Sequence, residues 1–130
     1  MAKRIQRTEK RQSTRIHKIS EQKPTRYYSS KQEQSIAKQF DGNQTKNSGA
    51  TMFIKGDVSL DNFLIEAKTK TTHSKSITIH KEWIDKNKQE AIFMGKPYSA
   101  IAFNFGPDEE NHYIIDSELF EILIKSTQEL

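Results

Sequence analysis

The sequence predicts an α/β fold, a small sandwich in which helices flank a mixed sheet, and three observations carry that prediction. The stretch from Gly56 to Lys68 alternates as a strand does, with Phe63, Ile65 and Ala67 on one face and Leu64, Glu66 and Lys68 on the other. Two stretches, Ser29 to Gly42 and His80 to Met94, repeat their apolar residues with helical period. The run Ala100-Ile101-Ala102-Phe103, bounded by Pro97 and by Gly106-Pro107, is apolar on both faces and is expected to be buried on both. The element order is α-β-β-β-α-β-β-α, and no internal repeat is visible.

Taken in order, the chain begins with a polycation. Up to Tyr28 it holds nine basic residues, among them Arg4, Arg7, Lys10, Arg11 and Arg15, against Glu9 and Glu21, a charge of +7; the remainder holds twelve basic and fifteen acidic residues, −3. Ile5, Ile16 and Ile19 are too sparse to cover a face, so this stretch cannot bury enough surface to order itself. Residues 1–28 are read as a flexible arm that attracts phosphate through counterion release, and residues 29–130 as the folded domain. A solubilising or localising extension is the plainer alternative.

In the first helix Ile36, Ala37 and Phe40 share a face and Gly42 is the expected stop. Glu33 lies on that same stripe, and two readings fit it: a Ser-x-x-Glu capping box with Ser30, or a carboxylate aimed inward. Asn43 to Thr51 is a polar loop with at most a short strand near Gln44 to Lys46, and its Ser48-Gly49 pair reads as an ordinary turn. Asp57 and Val58 begin a short strand, and Asp61-Asn62 is a turn whose side chains can bond their own backbone. A hairpin folded there brings Asp57 beside Glu66. Two carboxylates converging with the Lys68 ammonium at the end of an apolar strand are costly, because charge beside a core must be paired or bound to metal.

Thr69 to Ser76 reads as an exposed connection, in which Lys70, His73 and Lys75 either meet a phosphate backbone or are simply solvated. In the second helix Trp83, Ile84, Ala91 and Ile92 form an apolar stripe, so Trp83 is read as core rather than as a stacking platform, and Gly95 then Pro97 end the helix. Tyr113 to Ile115 is a short strand. Asp116 or Ser117 caps a closing helix that carries Leu119, Phe120, Leu123 and Ile124.

Composition narrows the classes. At 130 residues, 33% apolar and 29% charged, the chain is one domain with a polar tail. With no cysteine, disulfides and cysteine-ligated zinc are excluded, and the four histidines show no metal-site spacing. No apolar run reaches the length of a membrane span and the N-terminus lacks a signal-peptide core, so a soluble, cytoplasmic protein with no membrane partner is expected.

The order of these landmarks resembles the PD-(D/E)xK nuclease superfamily, and within it the Holliday-junction resolvases of the archaeal and phage type. The matching residues are Glu33, Ser48-Gly49, Gly56-Asp57-Val58 and Leu64-Ile65-Glu66-Ala67-Lys68, over roughly residues 29 to 105. The resemblance departs at Gly56, where the superfamily's name has proline, and at Ala67, where many members have cysteine. It implies a restriction-endonuclease-like αβββαβ core with a mixed central sheet flanked by helices, here extended by the basic N-terminal arm. It further implies Mg²⁺, with Mn²⁺ able to substitute, held by Asp57, Glu66 and the Ala67 carbonyl, and Glu33 binding or positioning a second ion. It turns Glu33 and Ser48 from undecided toward site residues, with Ser48 on the scissile phosphate and Lys68 orienting water or steadying the phosphate. It implies a homodimer acting on four-way-junction DNA.

The chemistry has an independent basis. Phosphodiester hydrolysis needs an activated water, stabilisation of charge on the phosphoryl oxygens and help for the leaving oxygen, all of which a hard cation on carboxylates can serve. Two other readings stand beside the junction resolvase: a nicking, repair or restriction-type nuclease on the same scaffold, and a non-catalytic nucleic-acid-binding protein for which the arm suffices.

Overall fold

The structure is a computed structural model that describes residues 23–44 and 58–129. Its elements are α1 (Thr25–Phe40), β1 (Asn43–Gln44), β2 (Val58–Ser59), β3 (Phe63–Lys68), α2 (Lys81–Phe93), β4 (Tyr98–Phe103), β5 (His112–Ile114) and α3 (Ser117–Gln128). The five strands form one sheet in the order β1-β2-β3-β4-β5. Only β3 and β4 run parallel, with Phe63 opposite Tyr98 and Lys68 opposite Phe103; the other neighbours are antiparallel. A parallel pair needs a long crossover, which α2 supplies. The expected α/β class with a mixed sheet is thus observed.

Alternation along β3 and β4 divides the interior. Ile65, Ala67, Ala100 and Ala102 pack with Val58 and with Ile36 of α1 in one cluster. Leu64 and Ile101, equally buried, point to the opposite face. There α2 lies against the sheet through Ala91 and through Asn87, whose amide donates to the carbonyls of Leu64 at 3.3 Å and Ala100 at 3.0 Å. The small residues 67, 100 and 102 let α1 approach closely.

The helix ends correct two expectations. Pro24 precedes α1, and the Tyr27 amide bonds its carbonyl at 2.9 Å, so the helix starts at Thr25 and takes in the last residues assigned to the arm. Proline has a fixed φ and lacks an N–H, which suits the start of a helix. Ser30 therefore lies inside the helix, its hydroxyl accepting from the Gln34 amide at 3.4 Å, and the Ser30–Glu33 capping box does not form. At the other end Asp41, not Gly42, takes the left-handed turn with φ 53°. Gly42 lies close against the Leu60 side chain, whose terminal methyl would have to move to admit a Cβ there. α2 closes as a Schellman motif: Gly95 at φ 70° bonds the Ile92 carbonyl at 3.0 Å, and Lys96 bonds that of Ala91 at 2.8 Å.

The β2–β3 turn at Asp61-Asn62 closes through the Leu60 amide on the Phe63 carbonyl at 2.9 Å. The Lys96 ammonium fastens it from outside, donating to the carbonyls of Leu60 at 2.6 Å and Asp61 at 3.2 Å. α3 buries Leu119 alone, while Phe120, Leu123 and Ile124 are 41% to 56% exposed. Among the described residues no helix is long and apolar enough to cross a membrane.

Asp116 caps α3, accepting from the Leu119 amide at 2.8 Å and pairing with Lys88 at 3.1 Å. The Leu119 N–H first, and Lys88 second, hold its carboxyl below the usual carboxylate range. A carboxyl depressed in the folded state stabilises above its unfolded pKa, and that contribution is lost as pH falls through the folded value. Asp116→Ala should therefore cost about 1 kcal/mol at neutral pH, and less in acid below the carboxylate range. Urea unfolding of the two proteins at both conditions measures this.

Candidate functional site

β3 ends in Glu66 and Lys68, which strand alternation sets on the face beneath α2. The Glu66 side chain is only 13% exposed, and its Oε1 lies 3.4 Å from Lys68 Nζ. Among the described residues its buried Oε2 finds no hydrogen-bond partner. Lys68 Nζ lies 4.5 Å from the centre of the Trp83 ring, on α2. The His80 ring packs edge-on to that indole at 4.7 Å between centroids. The ammonium is thus held between a carboxylate and an aromatic face, a geometry that orients it.

A half-desolvated carboxylate with one unsatisfied oxygen costs on the order of 1–3 kcal/mol or more. The pair can accept a proton from water, hold a cation, or place a positive charge against a phosphoryl oxygen. Mg²⁺ is often held by only one or two carboxylates and retained waters. The orphaned Oε2 of Glu66 fits such a role, although no group of three or more His, Cys, Asp or Glu converges among the described residues.

Of the expected site residues, the structure brings Glu66 and Lys68 together. Ala67 faces the α1-side core at 7% exposure, as a residue alternating with them must. Glu33 is half-buried on α1, the helix over that core, and accepts from the Gln44 amide of β1 at 3.4 Å. Ser48 and Asp57 lie outside the described residues, as do Arg4, Arg7, Lys10, Arg11 and Arg15. In the connection after β3, Lys70 donates to the Ser74 hydroxyl at 3.2 Å and His73 pairs with Glu109 at 2.6 Å. The Ser74 amide bonds the Phe105 carbonyl at 2.7 Å, which ties this loop to the end of β4, and Lys75 remains exposed.

Two site residues escape the sequence reading. Trp83 is half-buried and lies outside the α1-side core, so its assignment to the core gives way to a place over Lys68. The available signal was that its stripe continues through Asn87 and Glu90, both buried and polar. Gln32, one position before Glu33 and four before Ile36, is 4% exposed. Its Nε2 donates to the Lys68 carbonyl at 2.9 Å and to Asn111 Oδ1 at 3.1 Å.

No protein-family model, curated protein or solved structure matches the chain. Trp83 is the only tryptophan, so its emission reports on this site. Lys68→Met should change that emission and lower stability by roughly 3 kcal/mol, because it leaves the nearly buried Glu66 carboxylate without its counter-charge. Glu66→Gln should leave stability equal or higher, because a neutral amide is cheaper to bury than a carboxylate lacking a full set of partners. Fluorescence spectra and urea midpoints of both variants check these outcomes.

Proposed function

We propose that the chain is a metal-dependent endonuclease that resolves four-way DNA junctions, the activity implied by its resemblance to the PD-(D/E)xK nucleases. The observation that supports it is Glu66, a nearly buried carboxylate at a strand end with one oxygen on Lys68 and the other unpartnered. The pairing of Val58 with Ile65 is the register that a meeting of Asp57 with Glu66 requires.

In this reading Asp57, Glu66 and the Ala67 carbonyl hold Mg²⁺ or Mn²⁺, which when bound lowers the pKa of water and neutralises charge on the phosphate. Lys68, restrained by Glu66 and Trp83, sets its ammonium against a phosphoryl oxygen or the attacking water. Glu33 binds or positions a second cation, and Ser48 contacts the scissile phosphate. The basic arm gathers DNA onto a body of net −3, which would otherwise repel it. Two symmetric cuts are best made by a two-fold dimer, for which the exposed Phe120, Leu123 and Ile124 of α3 offer apolar surface. The compartment in this reading is the cytoplasm, where such DNA is accessible.

The test compares a synthetic four-way junction with linear duplex of the same sequence, with and without Mg²⁺. Paired symmetric nicks in the junction are expected, lost in Asp57→Ala and Glu66→Ala while junction binding persists. Sequence-dependent cutting of linear duplex would instead indicate a restriction-type enzyme, and binding without any cutting a non-catalytic protein. Removing residues 1–22 should weaken binding and flatten its dependence on salt, leaving the fold intact. Titrations at two salt concentrations read that slope.

A further inference from the structure

The carboxyl ends of the parallel strands β3 and β4 open, on the α1 side of the sheet, onto a cleft of about 400 Å³. In open α/β sheets this is where ligands characteristically bind. The Glu66 and Lys68 side chains lie across the sheet, under α2, so the cleft is a second place and not part of theirs. One of its walls is a stripe of α1 made of Lys31, Ser35 and Lys38, which share a face at i, i+4 and i+7. The two lysines stand about 10 Å apart along the helix axis, close enough for their flexible stems to reach one group between them.

The other wall is rich in amides. Asn104, 4% exposed, accepts the Thr69 hydroxyl on Oδ1 at 2.6 Å, and Asn111 accepts Gln32 Nε2 on Oδ1 at 3.1 Å. Gln32 must present that nitrogen, because it also donates to the Lys68 carbonyl, which can only accept. The group each asparagine has left to offer is therefore its NH₂, with two hydrogens to donate. No described group accepts from either NH₂, and neither is among the buried atoms lacking a partner, so both keep an opening to solvent.

The acids of the rim are already engaged: Asp108 pairs with Lys31 at 3.3 Å and Glu109 with His73 at 2.6 Å. Lys38 pairs with no carboxylate among the described residues, and the exposed Lys31–Asp108 pair is weak enough to yield to a competing anion. Uncommitted donors thus outnumber uncommitted acceptors. The ligand that suits them is one that only accepts, as the charged oxygens of a phosphoryl group do.

We infer that this cleft is an anion site that takes a phosphoryl group, with Lys38 as its charge partner and the NH₂ groups of Asn104 and Asn111 as its neutral donors. The site stands whether or not the chain cuts DNA. That the phosphate belongs to DNA rests on the nuclease reading, in which it comes from a different segment of strand than the one at Glu66, because the sheet lies between them.

The experiment follows the side-chain NH₂ signals of Asn104 and Asn111 by NMR in the metal-free full chain at constant ionic strength. Inorganic phosphate, acetate, thymidine and a single-stranded thymidine oligonucleotide are added in turn. Phosphate should move both signals saturably, and acetate and thymidine, which carry no phosphoryl group, should move neither. Lys38→Gln, a change at an exposed position, should weaken the phosphate response roughly tenfold. Asn111→Asp still accepts from Gln32 but puts a negative oxygen where the donor was, and should abolish the response at Asn104. The inference is overturned if phosphate moves neither signal, if acetate acts equally, or if Lys38→Gln responds to phosphate as the parent does. A response to the oligonucleotide as well assigns the site to a phosphodiester, and a response to phosphate alone assigns it to a free phosphate. A phosphate response without junction cleavage would sink the nuclease reading and keep the cleft; cleavage without a phosphate response would do the reverse.

Discussion

The parallel pairing of β3 with β4 is the constraint on which the rest of this structure depends. It forces the chain to cross over, and the crossover helix α2 then covers one face while α1 covers the other. With both faces occupied, β3 has no solvent side on which to leave polar residues at no cost. Glu66 and Lys68 nevertheless occupy its last positions, where alternation directs them under α2. Their charges are tolerated because they meet each other and the face of Trp83.

That arrangement costs stability. Among the described residues five side chains around the sheet combine burial with polarity: Gln32, Glu66, Asn87, Glu90 and Asn104. Three of them, Gln32, Glu66 and Asn87, keep one oxygen buried without a partner. Asn87 spends its amide holding β3 to β4, a structural role. Gln32 and Glu66 are both tied to Lys68, one through its carbonyl and one through its ammonium. Unsatisfied groups thus lie on either side of a single residue, a cost the rest of the packing has to offset.

Much of the architecture was legible because its signals are local and periodic. Alternation in β3, the doubly apolar β4, the Asp61-Asn62 turn, the Gly95 stop and the Asp116 cap each rest on a few neighbouring residues, and each appears in the structure. Where the reading failed, a residue outside the stretch being read had prevailed. Ser30 and Glu33 have the spacing of a capping box, but Pro24 starts the helix earlier. Gly42 has the composition of a helix stop, yet it is Asp41 that makes the left-handed turn, and Gly42 lies close against the Leu60 side chain. Trp83 sits on an apolar stripe, and only tertiary packing shows that the stripe's end lies over a lysine. Of the candidate site, Glu66 and Lys68 were legible from period two alone. Gln32 was not, because an amide beside a more conspicuous glutamate carries no motif.

Lys96 gives the molecule a mechanical property. Its ammonium clamps the carbonyls of Leu60 and Asp61, so the loop joining β2 to β3 is riveted to the tail of α2. The Asn87 amide grips β3 and β4 from farther along that helix. The loop at one side and the parallel strand pair are thereby pinned to the same helix.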